Sequence, residues 1–257
     1  MFPQGLFGLD WLRALITPIA IFGIGFFVLY LRQEGVRTLR TIFLLLGVAV
    51  VALLGAKLFS LHVRGWEFYE PLRYELSGGL RYPGALIGMA LLGPLLKRWL
   101  LPELPLPRFL DVLAITVCFC FALVRITCLF NGCCAGGQCT EFYCLSYAPG
   151  SQAWYTQLQA GLITQPGQHS HPVLPLHLFF LAASLLVGLF LMWFDGRRRY
   201  DGQIAILYLV LHDGAKALLE TFRDPYVAEL QITSAAISLA GLALLLFVGW
   251  RRQAASA

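Results

Sequence analysis

Charged residues are scarce in this sequence. Only 13% of its 257 residues are charged, 58% are hydrophobic, and the mean hydropathy is +0.72. Soluble domains carry about 25% charged residues, so the composition excludes an ordinary soluble domain and indicates an integral membrane protein. The net charge of +5 does not favour nucleic-acid binding, because cations in membrane proteins gather in the loops beside the bilayer.

Cations are also missing from two places along the chain. None precedes Arg13, whereas a cleaved signal peptide begins with a positively charged segment, so we expect the first helix to remain in the mature protein. Residues 131–172, the longest gap between apolar runs, contain one acid and no lysine or arginine. Because no separate soluble domain fits between the apolar runs, we predict one membrane-embedded domain over residues 1–257.

Long apolar runs dominate the rest of the sequence. A hydrocarbon core about 30 Å thick requires about 20 apolar residues in a helix. By this measure the sequence predicts an all-α polytopic membrane protein with about seven transmembrane helices. Their predicted ranges are 11–31, 41–61, 83–96, 109–130, 173–194, 203–221 and 232–250.

Arginine and lysine are distributed unevenly among the loops between these runs, although the second loop also contains Arg64, Arg73 and Arg81 together with three glutamates. They cluster after the first, third and fifth predicted helices and at the C-terminal tail, whereas the fourth loop contains none. Because cytoplasmic loops are enriched in cations, we predict an N-terminus outside and a cytoplasmic C-terminus. The fourth predicted helix then ends near the outer surface of the membrane.

The candidate functional residues at membrane depth lie on two predicted helices. Arg125 lies near the end of the fourth, and the sixth carries His212, Lys216 and Glu220 at intervals of four residues, followed by Arg223. Residues four apart share one helix face, and ionisable groups inside a membrane usually face the protein interior and serve a function. We therefore predict that Arg125 faces this stripe. Buried ion pairs that only fix helix packing are the alternative interpretation.

Five cysteines lie in or near the fourth loop: Cys128, Cys133, Cys134, Cys139 and Cys144. In an oxidising compartment they are candidate disulfide cysteines. Thiol–disulfide exchange by a membrane oxidoreductase is a second interpretation, although adjacent Cys133 and Cys134 lack the Cys-x-x-Cys spacing of redox motifs. A zinc site pairs its ligands at two to four residues and often includes histidine, so we predict no metal.

The order of motifs along the chain resembles the prolipoprotein diacylglyceryl transferase family over most of its length. These motifs are a glycine-rich entry into GALIG, an arginine followed by FNG, a His-Pro helix start, and GQIAILYLVLHDGAKALLETFRDP. The most specific matches are in the last motif, at Gly202, Leu207, Tyr208, Leu209, Glu220, Arg223 and Pro225. The resemblance implies a multi-pass enzyme of the bacterial inner membrane, with its active site open to the outer side and no cofactor. The implied reaction moves diacylglyceryl from phosphatidylglycerol to the thiol of a lipobox cysteine and releases glycerol phosphate.

The sequence departs from the family pattern at several positions. Tyr82 and Gly84 lie in the segment where the family has His-Gly-Gly, so the family histidine is missing. In the arginine motif, Cys128 and Cys133 replace an asparagine and a glutamate, while in the sixth helix the family has arginine and tyrosine at the positions of Lys216 and His212. The candidate catalytic residues are Arg125, His212, Lys216 and Glu220. The candidate substrate-binding residues are Tyr82, Gly84, Asn131, Gly132 and Arg223.

These residues suit three tasks. Arg125 with Lys216 or Arg223 would hold the headgroup of phosphatidylglycerol or another anionic phospholipid. His212 would take the proton of the nucleophile, since its unperturbed pKa lies near neutrality, and Glu220 would orient Lys216 or share the proton. The acceptor, a protein or a small molecule, is not identified by the sequence. A relative that binds lipid but has lost catalysis is a third interpretation, motivated by the missing histidine.

Overall fold

A computed structural model of the chain describes residues 11–64, 82–165, 167–224 and 228–256. Helices form the architecture of these residues, and no strand occurs among them, which confirms the all-α prediction. Each of the seven predicted membrane helices overlaps an observed helix, and the sequence did not predict the short α5. The helices are α1 (Trp11–Arg32), α2 (Thr38–Arg64), α3 (Tyr82–Leu100), α4 (Leu106–Asn131), α5 (Gln152–Gln159), α6 (Leu176–Asp195), α7 (Gln203–Glu220) and α8 (Ala228–Ser256).

Five of the described helices are long and apolar enough to cross a membrane. The spans are Leu15–Arg32, Thr38–Leu58, Leu106–Asn131, Leu176–Asp195 and Ala228–Arg252. Helix α7 is not among them and carries Asp213, Lys216 and Glu220 within its 18 residues. The count of seven membrane helices, the predicted orientation of the termini and the single domain stay predictions.

The chain divides into two compact units, and residues 27–109 form one of them. In this unit α2 packs along α3. A Cβ atom added to Gly88 would lie 2.8 Å from the Val51 carbonyl oxygen and 3.3 Å from the Gly55 Cα. Gly84 is buried, and its carbonyl would meet a Cβ added to Gly55. Small residues therefore let the two backbones approach closely, as is typical of helix pairs in membranes.

The other unit contains the described residues up to 26 and from 110 onward. Here α6 and α8 both pack along α7, and a buried carboxylate links α4 to the start of α7. The Oδ2 atom of Asp111 accepts a hydrogen bond from the Gly202 amide at 2.7 Å, and Oδ1 accepts one from the Ala205 amide at 2.9 Å. Gly202 has a φ of 93° and no side chain that can cap the helix. Asp111 therefore serves as the N-terminal cap of α7.

Residues 132–175, the α4–α6 segment, connect α4 to α6 and pack on themselves. Ala135, Tyr147, Ala153 and Val173 form a small buried cluster. The Leu145 amide donates to the Val173 carbonyl at 3.0 Å, and the Val173 amide donates back to Leu145 at 3.0 Å. Cys139 and Cys144 are joined by a disulfide bond. Because these contacts fix the segment, the side chains at its α4 end have defined positions.

Candidate active site

Arg125 lies in the last two turns of α4. Its guanidinium carbon is 4.3 Å from the centroid of the Phe180 ring on α6, a distance at which the ring face attracts a cation. Arg125 makes no ion pair with any residue in the described part of the chain. Its charge is therefore not neutralised by a described protein carboxylate.

A small cavity lies beside Arg125, where α4, α6 and α7 meet. Its volume of about 10 Å³ has room for roughly one water-sized group. The structure brings three of the four candidate catalytic residues, Arg125, His212 and Lys216, to the wall of this cavity. The full lining is Arg125, Phe180, Ala183, Ser184, His212, Ala215 and Lys216.

His212 is held in this cavity wall by aromatic and polar contacts. Its ring stacks on Tyr208, with the centroids 4.9 Å apart, and lies 5.2 Å from the ring of Phe121. Its Nε2 atom is 3.3 Å from the Ser184 hydroxyl, while its buried Nδ1 atom has no hydrogen-bond partner within the described ranges. One ring nitrogen thus contacts Ser184, whereas the other is buried with its hydrogen-bonding capacity unused in the described ranges.

Glu220 and Arg223 form an ion pair at the end of α7. The Nη1 atom of Arg223 donates to both carboxylate oxygens of Glu220, at 3.2 and 3.1 Å. The Glu220 side chain is 2% exposed and that of Arg223 is 21% exposed. The carboxylates of Asp213 and Glu220 both interact electrostatically with the buried Lys216 ammonium. Glu220 therefore stands between two cations, and its predicted role toward Lys216 stays a prediction.

Three thiols gather where α4 ends. The Sγ atoms of Cys128, Cys133 and Cys134, the thiol cluster, all lie within 4.8 Å of one another. All three cysteines are free, so Cys139 and Cys144 are the two disulfide candidates that the structure joins. The Nη2 atom of Arg223 donates to the Cys134 sulfur at 3.7 Å, which connects the thiol cluster to the end of α7.

Two cysteines of the thiol cluster, Cys133 and Cys134, lie beyond α4, and their pKa values are shifted in opposite directions. Hydrogen bonds with the Cys128 and Cys133 thiols lower the pKa of Cys134 well below its ordinary value, and the charges of Arg125 and Arg223 act in the same direction against burial. Hydrogen bonds with the Cys128 and Cys134 thiols, together with burial, raise the pKa of Cys133. The cluster therefore favours a thiolate at Cys134.

Asn131 and Gly132 end α4, and Gly132 is required by the backbone there. Its φ is 64°, and a Cβ atom at this position would lie 2.8 Å from the Tyr147 ring. The Tyr147 hydroxyl is 3.0 Å from Nε2 of buried His177, and burial raises the pKa of Tyr147. These contacts shape the turn, and the predicted substrate-binding role of Asn131 and Gly132 stays a prediction.

Tyr82 and Gly84 belong to α3, in the unit formed by residues 27–109. The Tyr82 side chain lies outside the described residues, and Gly84 contributes to the packing of α2 against α3. Their predicted substrate-binding role stays a prediction. Sequence reasoning did not select four members of the cavity wall, which are Phe180, Ala183, Ser184 and Ala215. A hydroxyl inside an apolar helix was a usable signal for Ser184, whereas nothing distinguishes Phe180 from its apolar neighbours.

Comparison with known proteins places the chain in one family. A family model described as prolipoprotein diacylglyceryl transferase matches residues 13–248. The chain is 25% identical over 208 residues to the phosphatidylglycerol–prolipoprotein diacylglyceryl transferase of Symbiobacterium thermophilum, covering 75% of this chain and 71% of the relative.

A second relative carries the same description. The chain is 25% identical over 153 residues to phosphatidylglycerol–prolipoprotein diacylglyceryl transferase 2 of Clostridium perfringens, covering 58% of this chain. The match spans about half of that relative, 52% of its length. Since the family model covers nearly the whole sequence, with the cavity and the thiol cluster inside the matched range, the chain belongs to the prolipoprotein diacylglyceryl transferase family.

Proposed function

We propose that this chain transfers the diacylglyceryl group of phosphatidylglycerol to the thiol of a lipobox cysteine in a prolipoprotein, at the outer side of the bacterial inner membrane. The observation that supports the proposal most is that α4 and α7 bring the cations Arg125 and Lys216 beside His212 at one small cavity, which would have to widen to admit a lipid phosphate. The names of the relatives, which mention phosphatidylglycerol and prolipoprotein, support the choice of donor and acceptor.

The two cations suit the change in charge during this reaction. The phosphodiester of phosphatidylglycerol carries one negative charge, and the departing glycerol phosphate gains a second. The partly buried Arg125 guanidinium and the buried Lys216 ammonium would interact more strongly with the developing dianion than with the monoanion, and such preorganised charge lowers the barrier. Arg125, which has no ion pair within the described ranges, would leave the face of Phe180 to bind the phosphate.

The covalent step balances without a cofactor. The acceptor thiol loses its proton, and its sulfur attacks the carbon that joins the diacylglyceryl group to the phosphate oxygen. A carbon–sulfur bond forms, the carbon–oxygen bond breaks, and glycerol phosphate leaves with the electron pair. His212 would accept the thiol proton at Nδ1 once the opening of the site exposes this buried atom, because its Nε2 already contacts Ser184.

The test is transfer in proteoliposomes between labelled phosphatidylglycerol and a lipobox peptide. Arg125→Gln removes the charge, and we expect it to lower the rate by about 10²–10³-fold, the usual cost of removing one donor to a developing oxyanion. Arg197→Gln is the matched control, because Arg197 also lies over an aromatic ring, at 4.1 Å from the centroid of Trp193, but outside the cavity. It should keep the full rate.

Two results would contradict the proposal. One is an Arg125→Gln protein that transfers lipid at the original rate. The other is original protein that retains phosphatidylglycerol through purification but releases no glycerol phosphate when the peptide is added. That second result would favour the third interpretation, in which this chain binds lipid but has lost catalysis.

A further inference from the structure

The thiol cluster has the dimensions of a metal site. Thiolate–zinc bonds measure about 2.3 Å, so the sulfurs of a tetrahedral site lie about 3.8 Å apart. The Sγ atoms of Cys128, Cys133 and Cys134 all lie within 4.8 Å of one another before any ion is considered. A small contraction of the three side chains would complete the geometry.

The backbone at the end of α4 brings the three sulfurs together. The Cys133 amide donates to the Cys128 carbonyl at 3.2 Å, and Gly132 between them has a φ of 64°; a left-handed glycine and a hydrogen bond of this span are two features of the Schellman motif at helix ends. This turn folds Cys133 back over Cys128, although they are five residues apart. The spacing therefore gave no zinc signature, and the prediction of no metal relied on that spacing.

Cys134 is in an unfavourable backbone conformation. Its φ is 57°, and it is the only non-glycine residue with a positive φ in the described part of the chain. Residues other than glycine, asparagine and aspartate seldom adopt this backbone conformation. Such strain concentrates at functional sites. The contacts around it maintain the strain: the Asp224 amide donates to the Ala135 carbonyl at 3.2 Å, and Arg223 reaches the Cys134 sulfur.

We propose that Cys128, Cys133 and Cys134 bind one thiophilic divalent cation of the Zn²⁺ class, and that the fourth coordination position takes the acceptor thiol. The second part rests on the proposed function. Sulfur ligands select soft or borderline ions such as Zn²⁺ over Mg²⁺ or Ca²⁺. Three protein ligands with one exchangeable position are typical of catalytic rather than structural zinc sites.

The charges around the thiol cluster suit such an ion. Three thiolates and one divalent cation carry a net charge of −1, and Arg223 lies 3.7 Å from the Cys134 sulfur. Arg125 is three residues before Cys128 on α4, so the two share a helix face, and the Arg125 charge interacts with the Cys134 thiol. A metal in the cluster would therefore lie next to the cation that we assign to the lipid phosphate.

The chemistry of the proposed metal complements the transfer. A bound divalent cation would make a coordinated thiol lose its proton at neutral pH, and that proton would pass to His212, the base assigned in the proposed function. The acceptor sulfur would then be a thiolate beside the phosphate that Arg125 holds. When the sulfur attacks the lipid carbon, the carbon–sulfur bond forms and glycerol phosphate departs, so no oxidant or reductant is needed. The product would be a thioether, which is a weaker ligand than a thiolate.

A disulfide is the competing outcome for these thiols. It would use two of the three and leave the third free, and it would need an oxidant. Cys139 and Cys144 in the same segment are already bridged, while the thiol cluster is not. A bound ion would instead engage all three thiols together.

The first experiment measures metal binding alone. Full-length protein is purified in detergent, treated with a chelator and titrated with Co²⁺, which takes zinc sites and absorbs light when bound to thiolates. We expect about one equivalent to bind with a thiolate-to-cobalt band in the near ultraviolet. Cys133→Ser and Cys134→Ser should each weaken binding by at least about 100-fold, since even indirect ligand partners contribute about 10–100-fold. Cys120→Ser, the same change on α4 outside the cluster, should bind Co²⁺ normally.

Several results would overturn the metal site. They are the absence of the near-ultraviolet band, an unchanged titration in both serine variants, and a disulfide between cluster cysteines in protein purified without chelator, detected by mass spectrometry. Size-exclusion chromatography checks that each variant is folded. If the variants fail this check, the unmutated protein provides the test. Added Zn²⁺ should protect the three thiols of the cluster from alkylation, and alkylation of these thiols in the presence of Zn²⁺ would refute the site.

The second experiment separates the metal site from the proposed function. Adding a lipobox peptide to the Co²⁺ protein should change the visible spectrum, whereas the same peptide with serine in place of cysteine should not. No spectral change with the cysteine peptide would sink the acceptor-thiol role but not the metal site. Metal binding in a protein that shows no transfer would sink the proposed function alone, and a full transfer rate in metal-free protein would sink the metal's role in the reaction.

Discussion

The capping of α7 by Asp111 allows a quantitative test of how the site is positioned. Asp111 lies 91 residues before Gly202 in the chain, and its carboxylate accepts hydrogen bonds from Gly202 and Ala205. A hydrogen bond to a charged group contributes about 1.5–3 kcal/mol. Asp111→Asn keeps one carbonyl-type acceptor and loses the other, so we expect it to lower the free energy of unfolding by about 1.5–3 kcal/mol. Asp111→Ala loses both acceptors and should lower the free energy of unfolding by about 3–6 kcal/mol.

Thermal unfolding in detergent, followed by tryptophan fluorescence, measures these costs. For chains of about this length 1 kcal/mol corresponds to about 2–4 °C in Tm, so Asp111→Asn should lower Tm by about 3–12 °C. The matched control is Asp201→Asn, close to the same helix start, because Asp201 is 41% exposed in its pair with Arg198 and such pairs contribute at most about 1 kcal/mol. The reasoning is refuted if Asp111→Asn and Asp201→Asn unfold at the same temperature.

Two further substitutions test contacts in the two units separately. Glu220→Gln should lower stability by about 1–3 kcal/mol in the same unfolding assay, because it leaves the half-buried Arg223 without its carboxylate; no change in Tm would contradict this. Gly88→Ala should lower it by about 1–3 kcal/mol, because the new Cβ would meet the Val51 carbonyl at 2.8 Å. Gly93→Ala on the same helix, where a Cβ meets nothing within 4 Å, should be neutral or stabilising by up to about 1 kcal/mol, and equal losses in both alanine variants would refute the packing argument.

The helices could be predicted because the signal for them is local. A run of apolar residues long enough to cross a bilayer must satisfy its own backbone hydrogen bonds, and a helix does so within the run. The same logic brought Arg125, His212 and Lys216 into consideration, since polar groups at helical spacing in apolar runs indicate one interior face. The cavity shared by these three residues is the structural counterpart of that pattern.

Other parts of the site depend on contacts that no local pattern encodes. Asp111 reads as an ordinary charge near a helix start, yet it caps a helix 91 residues later. Phe180 reads as one more apolar residue of α6, yet it holds the Arg125 guanidinium. The positive φ of Cys134 is maintained by contacts from beyond α7. Each of these features becomes visible only when separate helices are placed side by side.

The position of Arg223 indicates how the cations divide their work. Sequence reasoning grouped it with Arg125 and Lys216 as a candidate for headgroup binding. Its guanidinium donates to Glu220 and to the Cys134 sulfur, and its backbone forms an isolated bridge with Gly136. An arginine with its donors engaged in this way would have to break an ion pair to bind a lipid phosphate, whereas Arg125 would only leave an aromatic ring. The geometry therefore favours Arg125 for the phosphate, and for Arg223 it favours holding the thiol cluster against the end of α7.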